Sequence, residues 1–456
     1  MTASSIDARA GSFSEADRAL ILLTLANPSA AEVSQVAALF ARAIDWADLS
    51  AKVAHNDVAP IVHLNLTRHD LGAPVPGSLR DEWRARHETI RARNGARWQK
   101  AVELFSHLEA AGVPVIVLKG GRFAESVYGD VGYKKMNDLD LLVRFADLEA
   151  VQRTYRSLDL VPLALLDGAD KVSEDKGYHL PAHVSRDLTF VLGTHWNLCN
   201  PKHGYRFDRS RLWERSVELQ FGGRTVRSLS PADVLHHLIV HFHYYKTGLK
   251  ELADFANWIR ANPGLDWEAV AREVDLAHTW TPAFRTLTLV ETLYDCSIPS
   301  GLLEACRRRC DPWVATDTAR LAARKDLLLV SRSVYGSEIE KAYLAFTYER
   351  RFGRKLPWFF AFWKRLLFPP VAVLCRTNGC APGERGVCGL WLANLVRTAR
   401  EVGQSYGMFV FLLLMLKSTA ELAGSLVDAG VDPMAGLRRE LGVDDRRIWQ
   451  LLDSME

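Results

Sequence analysis

The chain has 456 residues, which is too long for one compact core and predicts two or three domains. Its composition is that of a globular protein, with 48% hydrophobic and 24% charged residues, so the chain is expected to fold. With 57 Lys and Arg against 54 Asp and Glu, the formal net charge is +3, and this balance argues against a dedicated nucleic-acid binder.

Helical periodicity runs through the first quarter of the chain. From Ser14 to about Ala111, apolar residues recur at three- and four-residue spacing, with Ser14 and Ser29 as predicted N-caps. The segment 83–112 predicts one long amphipathic helix that ends at Gly112, and we interpret its many arginines as a solvated face.

The periodicity changes at 113–120, where VPVIVLKG is a nearly continuous apolar run typical of a strand buried on both faces. RFAESVYGD predicts a short helix, and KKMNDLDLLVR predicts a strand on which Asp138 and Asp140 share one face. RDLTFVLGTHWNL predicts a further strand that ends near His195 and Trp196.

After Leu229 the pattern is helical again, opening at Ser230-Pro231 with one predicted helix that ends at Asn262-Pro263. The predicted fold class is therefore α+β, with a small mixed sheet as its core. We divide the chain into an N-terminal helical region at 1–110, the core at 111–228 and a larger all-helical region at 229–456.

The two aspartates in the second predicted strand indicate a metal site. Two like charges on a strand flanked by apolar residues would cost several kcal/mol, and a hard cation removes that cost. Magnesium prefers one or two carboxylates, with water and phosphate oxygens completing its shell. Asp138 and Asp140 are thus the predicted ligands of Mg²⁺ or Mn²⁺.

The turn after the first predicted strand indicates a phosphate site. Gly120 and Gly121 let backbone N–H groups turn toward an anion at a helix start. Lys119 and Arg122 add positive charge beside them, as phosphoryl transfer requires. The alternative interpretation of the glycine pair is a tight turn that binds no ligand.

Together, LKGGR and MNDLDLLV resemble the glycine-loop and Asp-x-Asp signature of the DNA polymerase beta-like nucleotidyltransferase superfamily. More narrowly, they resemble a bacterial family of uncharacterised nucleotidyltransferases, over about residues 30–300. The resemblance implies that Asp138 and Asp140 bind metal, and that the glycine pair binds nucleotide phosphates. We add Lys119 as a catalytic residue, and Arg122 and His195 as nucleotide-binding residues.

One position departs from the family pattern. The resemblance implies an acid two residues before the His-Trp pair, and this chain has Gly193 there. Asp187, on the same predicted strand, lies about 20 Å from that position along a regular strand and could substitute only through a register shift or bulge. A one-metal site, a carboxylate supplied from elsewhere and loss of catalysis all remain open.

Several histidines surround the predicted site. His195 could act as a base or metal ligand, or could fix the strand by packing beside Trp196. His236, His237, His241 and His243 crowd the next helix, where packing or substrate lining is favoured over metal binding by His237 and His241. His179 and His183 receive no role.

The remaining features bear on location and partners. The N-terminus lacks the pattern of a signal peptide, and the apolar run 408–416 is about half of a membrane span, so we predict a cytoplasmic protein. Seven scattered cysteines predict free thiols, although 375, 380 and 388 come nearest to a metal pattern. The aromatic and basic stretch 348–368 predicts a docked helix, with peripheral membrane contact as the alternative.

These observations predict a metal-dependent nucleotidyltransferase. It would move a nucleotidyl or phosphoryl group from a nucleoside triphosphate, ATP above others, to a hydroxyl of a small molecule or peptide, in a natural-product or polysaccharide pathway. A degenerate fold that binds a nucleotide, a peptide or a partner protein is the alternative. A transferase acting on nucleic acid is disfavoured by the near-neutral charge.

Overall fold

The computed structural model describes residues 13–310, apart from 43, 164–173, 175–176, 202–204 and 246–247. Beyond 310 it describes short stretches, which are 315–316, 318–319, 322, 328, 368–369, 371, 374–375, 386–405, 435–444, 446–448 and 450–451. The apolar run 408–416, and all of 348–368 except Phe368, lie outside the described residues.

The chain forms two compact units, one of residues 1–160 and 170–330 and the other of 161–169 and 331–456. In the second unit, α14 (Val387–Ser405) carries Trp391, whose ring stacks on Phe368 with the centroids 5.2 Å apart. A shorter helix, α15 (Ala435–Leu441), follows. The candidate site lies wholly in the first unit.

The described residues up to Ala110 form five helices, in the region that the sequence predicts to be helical. Ser14 and Ser29 cap the first two, each in a reciprocal capping box. The long helix ends in a Schellman motif, in which Gly112 has φ +69° and the Val113 N–H donates to the Leu108 carbonyl at 2.9 Å. The five helices are α1 (Glu15–Leu23), α2 (Ala30–Phe40), α3 (Trp46–His55), α4 (Ala59–Arg68) and α5 (Gly77–Ala110).

A mixed sheet of seven strands follows, in the order β3-β4-β5-β2-β1-β7-β6, which confirms the α+β fold class. The strands are β1 (Ile116–Val117), β2 (Leu139–Leu142), β3 (Leu160–Pro162), β4 (His183–Ser185), β5 (Val191–His195), β6 (Val217–Phe221) and β7 (Arg224–Ser228). β2 pairs antiparallel with β1 and parallel with β5, while β1 pairs parallel with β7.

Short helices connect these strands, and their packing defines the two faces of the sheet. They are α6 (Lys119–Phe123), a π-helical turn (Ala124–Tyr128), α7 (Leu148–Ser157) and α8 (Arg209–Glu214). On one face, Tyr155 of α7 forms a hydrogen bond with Thr194 at 2.7 Å, and Trp98 of α5 stacks on Phe221. Because side chains alternate along a strand, His195 and Asp140 belong to the other face.

Between the sheet and residue 310 the structure describes five further helices, α9 (Pro231–Tyr245), α10 (Leu249–Ala261), α11 (Trp267–Ala277), α12 (Trp280–Tyr294) and α13 (Ser300–Arg309). The single helix predicted from Ser230 to Asn262 is therefore wrong, since α9 and α10 are separate. Gly248, with φ +157°, stands at the N-cap of α10, a backbone conformation that favours glycine.

The prediction that a strand includes Asp187 is also wrong, because the strand begins later in the chain. β5 begins at Val191, and Asp187 lies in the turn between β4 and β5, where it is exposed and paired with Lys100. Ser185 and Thr189 donate to the same carboxylate, which closes the turn. Asp187 therefore does not supply the missing acid of the site.

The described part of the structure bears on membrane spans and on the cysteines. Within it, no helix is both long and apolar enough to cross a bilayer. The six described cysteines are free thiols, and of these only Cys388 is exposed. Cys380 lies outside the described residues.

Candidate active site

Asp140, near the middle of β2, is the residue on which the candidate site centres. Its side chain is buried, with 6% of the residue exposed. Lys119 Nζ lies 2.8 Å from Asp140 Oδ2, and His195 Nε2 lies 2.8 Å from Asp140 Oδ1. Two residues that are far apart in sequence, Lys119 and His195, therefore meet at the carboxylate of Asp140, and each carboxylate oxygen has a partner.

The charges of this group follow from its burial and its neighbours. Burial raises the pKa of Asp140, but the Lys119 ammonium and the His195 hydrogen bond outweigh it and hold that pKa well below its ordinary value. Burial lowers the pKa of His195, although Asp140 opposes this. His195 is thus neutral beside an ionised carboxylate. Because a carboxylate only accepts, Nε2 carries the proton and Nδ1 keeps its lone pair.

Gly193 faces this carboxylate from the next strand. In the parallel pairing of β2 with β5, Asp140 lies opposite Gly193 and Leu142 opposite His195. A Cβ at position 193 would fall 2.3 Å from Asp140 Oδ1 and 3.2 Å from His195 Nε2. The space where an acid at 193 would begin is filled by Asp140, so the departure from the family pattern has a direct structural counterpart.

Asp138 lies outside the strand that carries Asp140, so the prediction that one strand holds both aspartates is wrong. It is half-buried in the loop just before β2, which begins at Leu139. The loop is held by α5, since Arg97 donates to the carbonyls of Met136 and Thr189. Buried Asn94 donates to Val131 O at 2.6 Å and Lys134 O at 2.9 Å.

These two α5 residues were missed by the sequence reasoning. Arg97 is an exception to the interpretation of the helix arginines as a solvated face, which holds for the exposed Arg84, Arg86, Arg91 and Arg93. The Arg97 side chain is half-buried, and this burial lowers its pKa, while the nearby charge of Asp138 raises it. A half-buried cation thus stands near Asp138, as Lys119 stands beside Asp140. One sequence signal could have indicated that Arg97 is half-buried, which is its position next to Trp98 at the edge of the apolar face of the helix.

The glycine turn lies where the sequence places it, between β1 and a helix. Lys119 has φ +45°, a conformation that costs a non-glycine residue roughly 1 kcal/mol or more. Gly121 is buried, and a Cβ there would fall 2.8 Å from both Leu139 Cδ1 and Val117 Cγ1. Packing therefore explains Gly121 without a ligand, and its phosphate role stays a prediction.

Gly120 and Arg122 have more open surroundings. Gly120 is half-buried, with Met136 Sδ 3.3 Å and the Tyr133 hydroxyl 3.8 Å from the position of an added Cβ. The Arg122 guanidinium lies over the Trp258 ring at 5.3 Å. Around this turn, Arg122 Nε, Tyr133 Oη and Asn137 Oδ1 are buried without a hydrogen-bond partner among the described residues.

Helix α9 adds a histidine to the group. His237 is 4% exposed, and its pKa is lowered well below the ordinary value by burial, with Lys119 and His195 contributing and Asp140 opposing. His237 therefore lies within electrostatic range of the Asp140 group. His241 is one turn further along, with its ring 6.1 Å from that of His237. The side chain of His243 lies outside the described set.

The metal ligands that this site offers differ from those that the family pattern implies. Among the described residues, no group of three or more His, Cys, Asp or Glu side chains is placed to hold a metal ion. A three-carboxylate, two-metal site does not fit, because position 193 is glycine. A single Mg²⁺ fits the chemistry of Asp138 and Asp140, since two hard carboxylates and phosphate oxygens suffice for it.

Comparison with known proteins bears on the family. No curated protein and no solved structure matches the chain. The sequence model of a family described as uncharacterised nucleotidyltransferase matches residues 42–295, which is more than half of the chain. The match includes the glycine turn, Asp138, Asp140 and His195. The chain therefore belongs to the uncharacterised nucleotidyltransferase family.

Proposed function

We propose that this protein is a metal-dependent transferase that moves a nucleotidyl or phosphoryl group from a nucleoside triphosphate to a hydroxyl of a small molecule or peptide. Family membership supports the transferase class. The observation that carries the proposal is the buried Asp140 carboxylate between Lys119 and His195. An ionised carboxylate, a mobile cation and a neutral imidazole are the groups that this chemistry uses.

Asp138 and Asp140 would hold one Mg²⁺ or Mn²⁺ ion, which supplies charge neutralisation for the phosphates when bound. Asp140 would have to give up one of its present partners to do so. Lys119 is the candidate, because a Lys ammonium on a flexible stem can move from the carboxylate to a phosphate oxygen. The unpaired polar atoms at Arg122, Tyr133 and Asn137 would then find acceptors or donors on the ligand.

His195 is suited to the proton transfer. Asp140 accepts its Nε2–H, which orients the ring and leaves the Nδ1 lone pair as the base. The acceptor hydroxyl would lose its proton to Nδ1 as its oxygen bonds to phosphorus. The bond from that phosphorus to the oxygen of the leaving group breaks, and its electron pair stays on that group, which is pyrophosphate for nucleotidyl transfer and the nucleoside diphosphate for phosphoryl transfer.

A second function, binding without turnover, is favoured by Gly193. The third carboxylate of the superfamily pattern is missing there, and Asp140 Oδ1 occupies the adjacent space. In that case the site would bind a nucleotide, a peptide or a partner enzyme and release neither pyrophosphate nor a nucleoside diphosphate.

Incubation with ATP labelled at the α-phosphate, in magnesium buffer and with water as the default acceptor, tests the transferase against this alternative. Labelled AMP with pyrophosphate indicates nucleotidyl transfer, and labelled ADP with phosphate indicates phosphoryl transfer. We expect His195→Gln to keep ATP binding and lose turnover, and Asp187→Asn, an exposed aspartate outside the site, to behave as the wild type. ATP binding without any product would favour the non-catalytic function.

A further inference from the structure

A second feature of the sheet, the cleft at the ends of β2 and β5, has no role in the proposal above. It has a volume of about 840 Å³, within the range of small-molecule sites. Three arginines and three aromatic residues dominate its lining, which are Arg144, Arg209, Arg227, Phe145, Trp196 and Trp213. Guanidinium groups and aromatic rings that converge on one cleft are the side chains that bind planar anions.

The register of the sheet places one residue of this cleft, Arg227, on the same sheet face as the Asp140 group. Arg227 pairs with Ile116, Ile116 with Leu142, and Leu142 with His195. Residues paired across strands share a face, so Arg227 and His195 stand on the same face of the sheet, about 14 Å apart across three strand spacings. Trp196 directly follows His195. A ligand in the cleft would therefore extend toward the candidate base.

The arginines differ in how much of their charge is available. Arg209 is neutralised by Glu174, at 2.9 Å, and Arg227 donates Nε to Ser216 Oγ at 2.6 Å and Nη2 to Ser216 O at 2.8 Å. Arg144 is exposed and stacks on Trp213, 5.0 Å from its ring centroid, in a position that leaves its N–H edge for an anion. Ser216 thus fixes one guanidinium, and an indole fixes the other.

Aromatic side chains form another part of the wall of the cleft. Phe145 meets the edge of Trp196 with ring centroids 5.4 Å apart, and Trp213 is half-buried beneath Arg144. Against the three arginines the cleft sets two acids, Glu174 and Glu214, so its lining has a formal excess of one positive charge. A ligand with an acidic group and a flat ring matches this lining better than a neutral sugar or a cation does.

We propose that this cleft is the acceptor subsite, and that it selects acceptors carrying a phosphate or carboxylate on a planar, ring-containing body. The assignment as acceptor subsite rests on the proposed transferase function. The cleft holds the acidic group at Arg144 and Arg227 and the ring against Trp213. The acceptor hydroxyl is then directed along the sheet face toward His195.

Phenyl phosphate is the probe, titrated calorimetrically into the full chain and compared with inorganic phosphate and with phenol. We expect phenyl phosphate to bind more tightly than either, because only it offers both parts. Arg144→Gln and Arg227→Gln should each weaken it about tenfold, as loss of a charge-assisted hydrogen bond does. Arg153→Gln, an exposed arginine of α7 outside the cleft, is the matched control and should leave the affinity unchanged.

Two further titrations separate this inference from the proposed function. Saturating ATP with magnesium should leave phenyl phosphate binding unchanged, and Asp140→Asn should weaken ATP without affecting phenyl phosphate. Competition by ATP would overturn the acceptor assignment, because the cleft would then belong to the nucleotide. No phenyl phosphate binding, or equal binding by the wild type and both cleft variants, would also overturn it. Failure of ATP to bind the wild type would contradict the proposed function alone.

Discussion

At the scale of single residues, Gly193 separates this site from the three-carboxylate pattern that the superfamily resemblance implies. A Cβ there falls 2.3 Å from Asp140 Oδ1, so any side chain must displace that carboxylate. We expect Gly193→Asp to lose about 1–3 kcal/mol of stability from overpacking, with like-charge repulsion added. Mg²⁺ or Mn²⁺ should return part of that loss by binding the paired acids.

Thermal unfolding with and without Mn²⁺ measures this effect. Gly193→Asn has nearly the same volume without the charge, and it is expected to be destabilised but not rescued by the ion. An equal response of the two variants to Mn²⁺ would show that position 193 does not face a cation site.

Lys119 and Asp140 were both predicted as site residues from the sequence, because each lies in a short motif that is typical of phosphate or metal binding. Their ion pair was not predicted. His195 was also predicted as a site residue. Its contact with Asp140 depends on the register of β2 against β5, which cannot be predicted from a local sequence pattern. Arg97 and Asn94 were missed because they act across a gap of about 40 residues, from a helix that reads as amphipathic and solvated.

At the scale of elements, α6 lies so close to β1 and β2 that Gly121 has no room for a methyl group. An added Cβ would stand 2.8 Å from Leu139 Cδ1 and from Val117 Cγ1, both buried. We expect Gly121→Ala to destabilise the protein by about 1–3 kcal/mol, measured by urea unfolding.

Gly120→Ala is the matched comparison, because its closest contact is Met136 Sδ at 3.3 Å and a methionine side chain can adjust. A smaller loss is expected there. If the two variants were equally stable, the close approach of α6 to the strands would not be what requires glycine at 121.

The strands of the sheet were only partly predicted. The hairpin of β6 and β7 was overlooked, although VELQF and RTVRS alternate around Gly222-Gly223, whose φ angles are +55° and +78°. Two glycines between alternating segments are a hairpin signal that could have been recognised. The start of β2 could not be recognised in the same way, since Asp138 continues the alternation of the strand but is held in a loop by contacts from α5.

At the scale of the whole molecule, the residues that follow α1 are joined to α10 and α12 of the same unit. The Ala26 N–H donates to Asn257 Oδ1 at 2.8 Å, and Thr24 Oγ1 lies 2.8 Å from Tyr294 Oη. Contacts between residues more than 200 positions apart produce no periodic pattern in the sequence. The sequence therefore predicts that these helices form, but not how they pack on one another. The N-terminal helices belong to the same compact unit as the sheet.

Buried histidines make the stability of this unit depend on pH. Burial lowers the pKa of His183 and of His236 to about 4, below the value of about 6.5 in an unfolded chain. The unfolded state therefore binds protons first as the pH falls. Stability should be full above pH 6.5 and should decrease between about pH 6.5 and 4, by on the order of 3 kcal/mol for each histidine.

Urea unfolding at a series of pH values measures that decrease. His236→Gln, which can keep a hydrogen bond to Thr279, should flatten the curve in this window even if its stability at neutral pH is lower. A curve as steep in the variant as in the wild type would exclude His236 as a source of the pH dependence.

The central claim is that Asp138 and Asp140 seat a cation and the phosphates of a nucleoside triphosphate beside Lys119. Calorimetric titration of ATP in magnesium buffer into the wild type and into the double variant Asp138→Asn, Asp140→Asn tests it most directly, with Asp187→Asn as the control aspartate. We predict that the double variant binds ATP at least about tenfold more weakly, while the control binds as the wild type does. An unchanged affinity in the double variant would contradict the account.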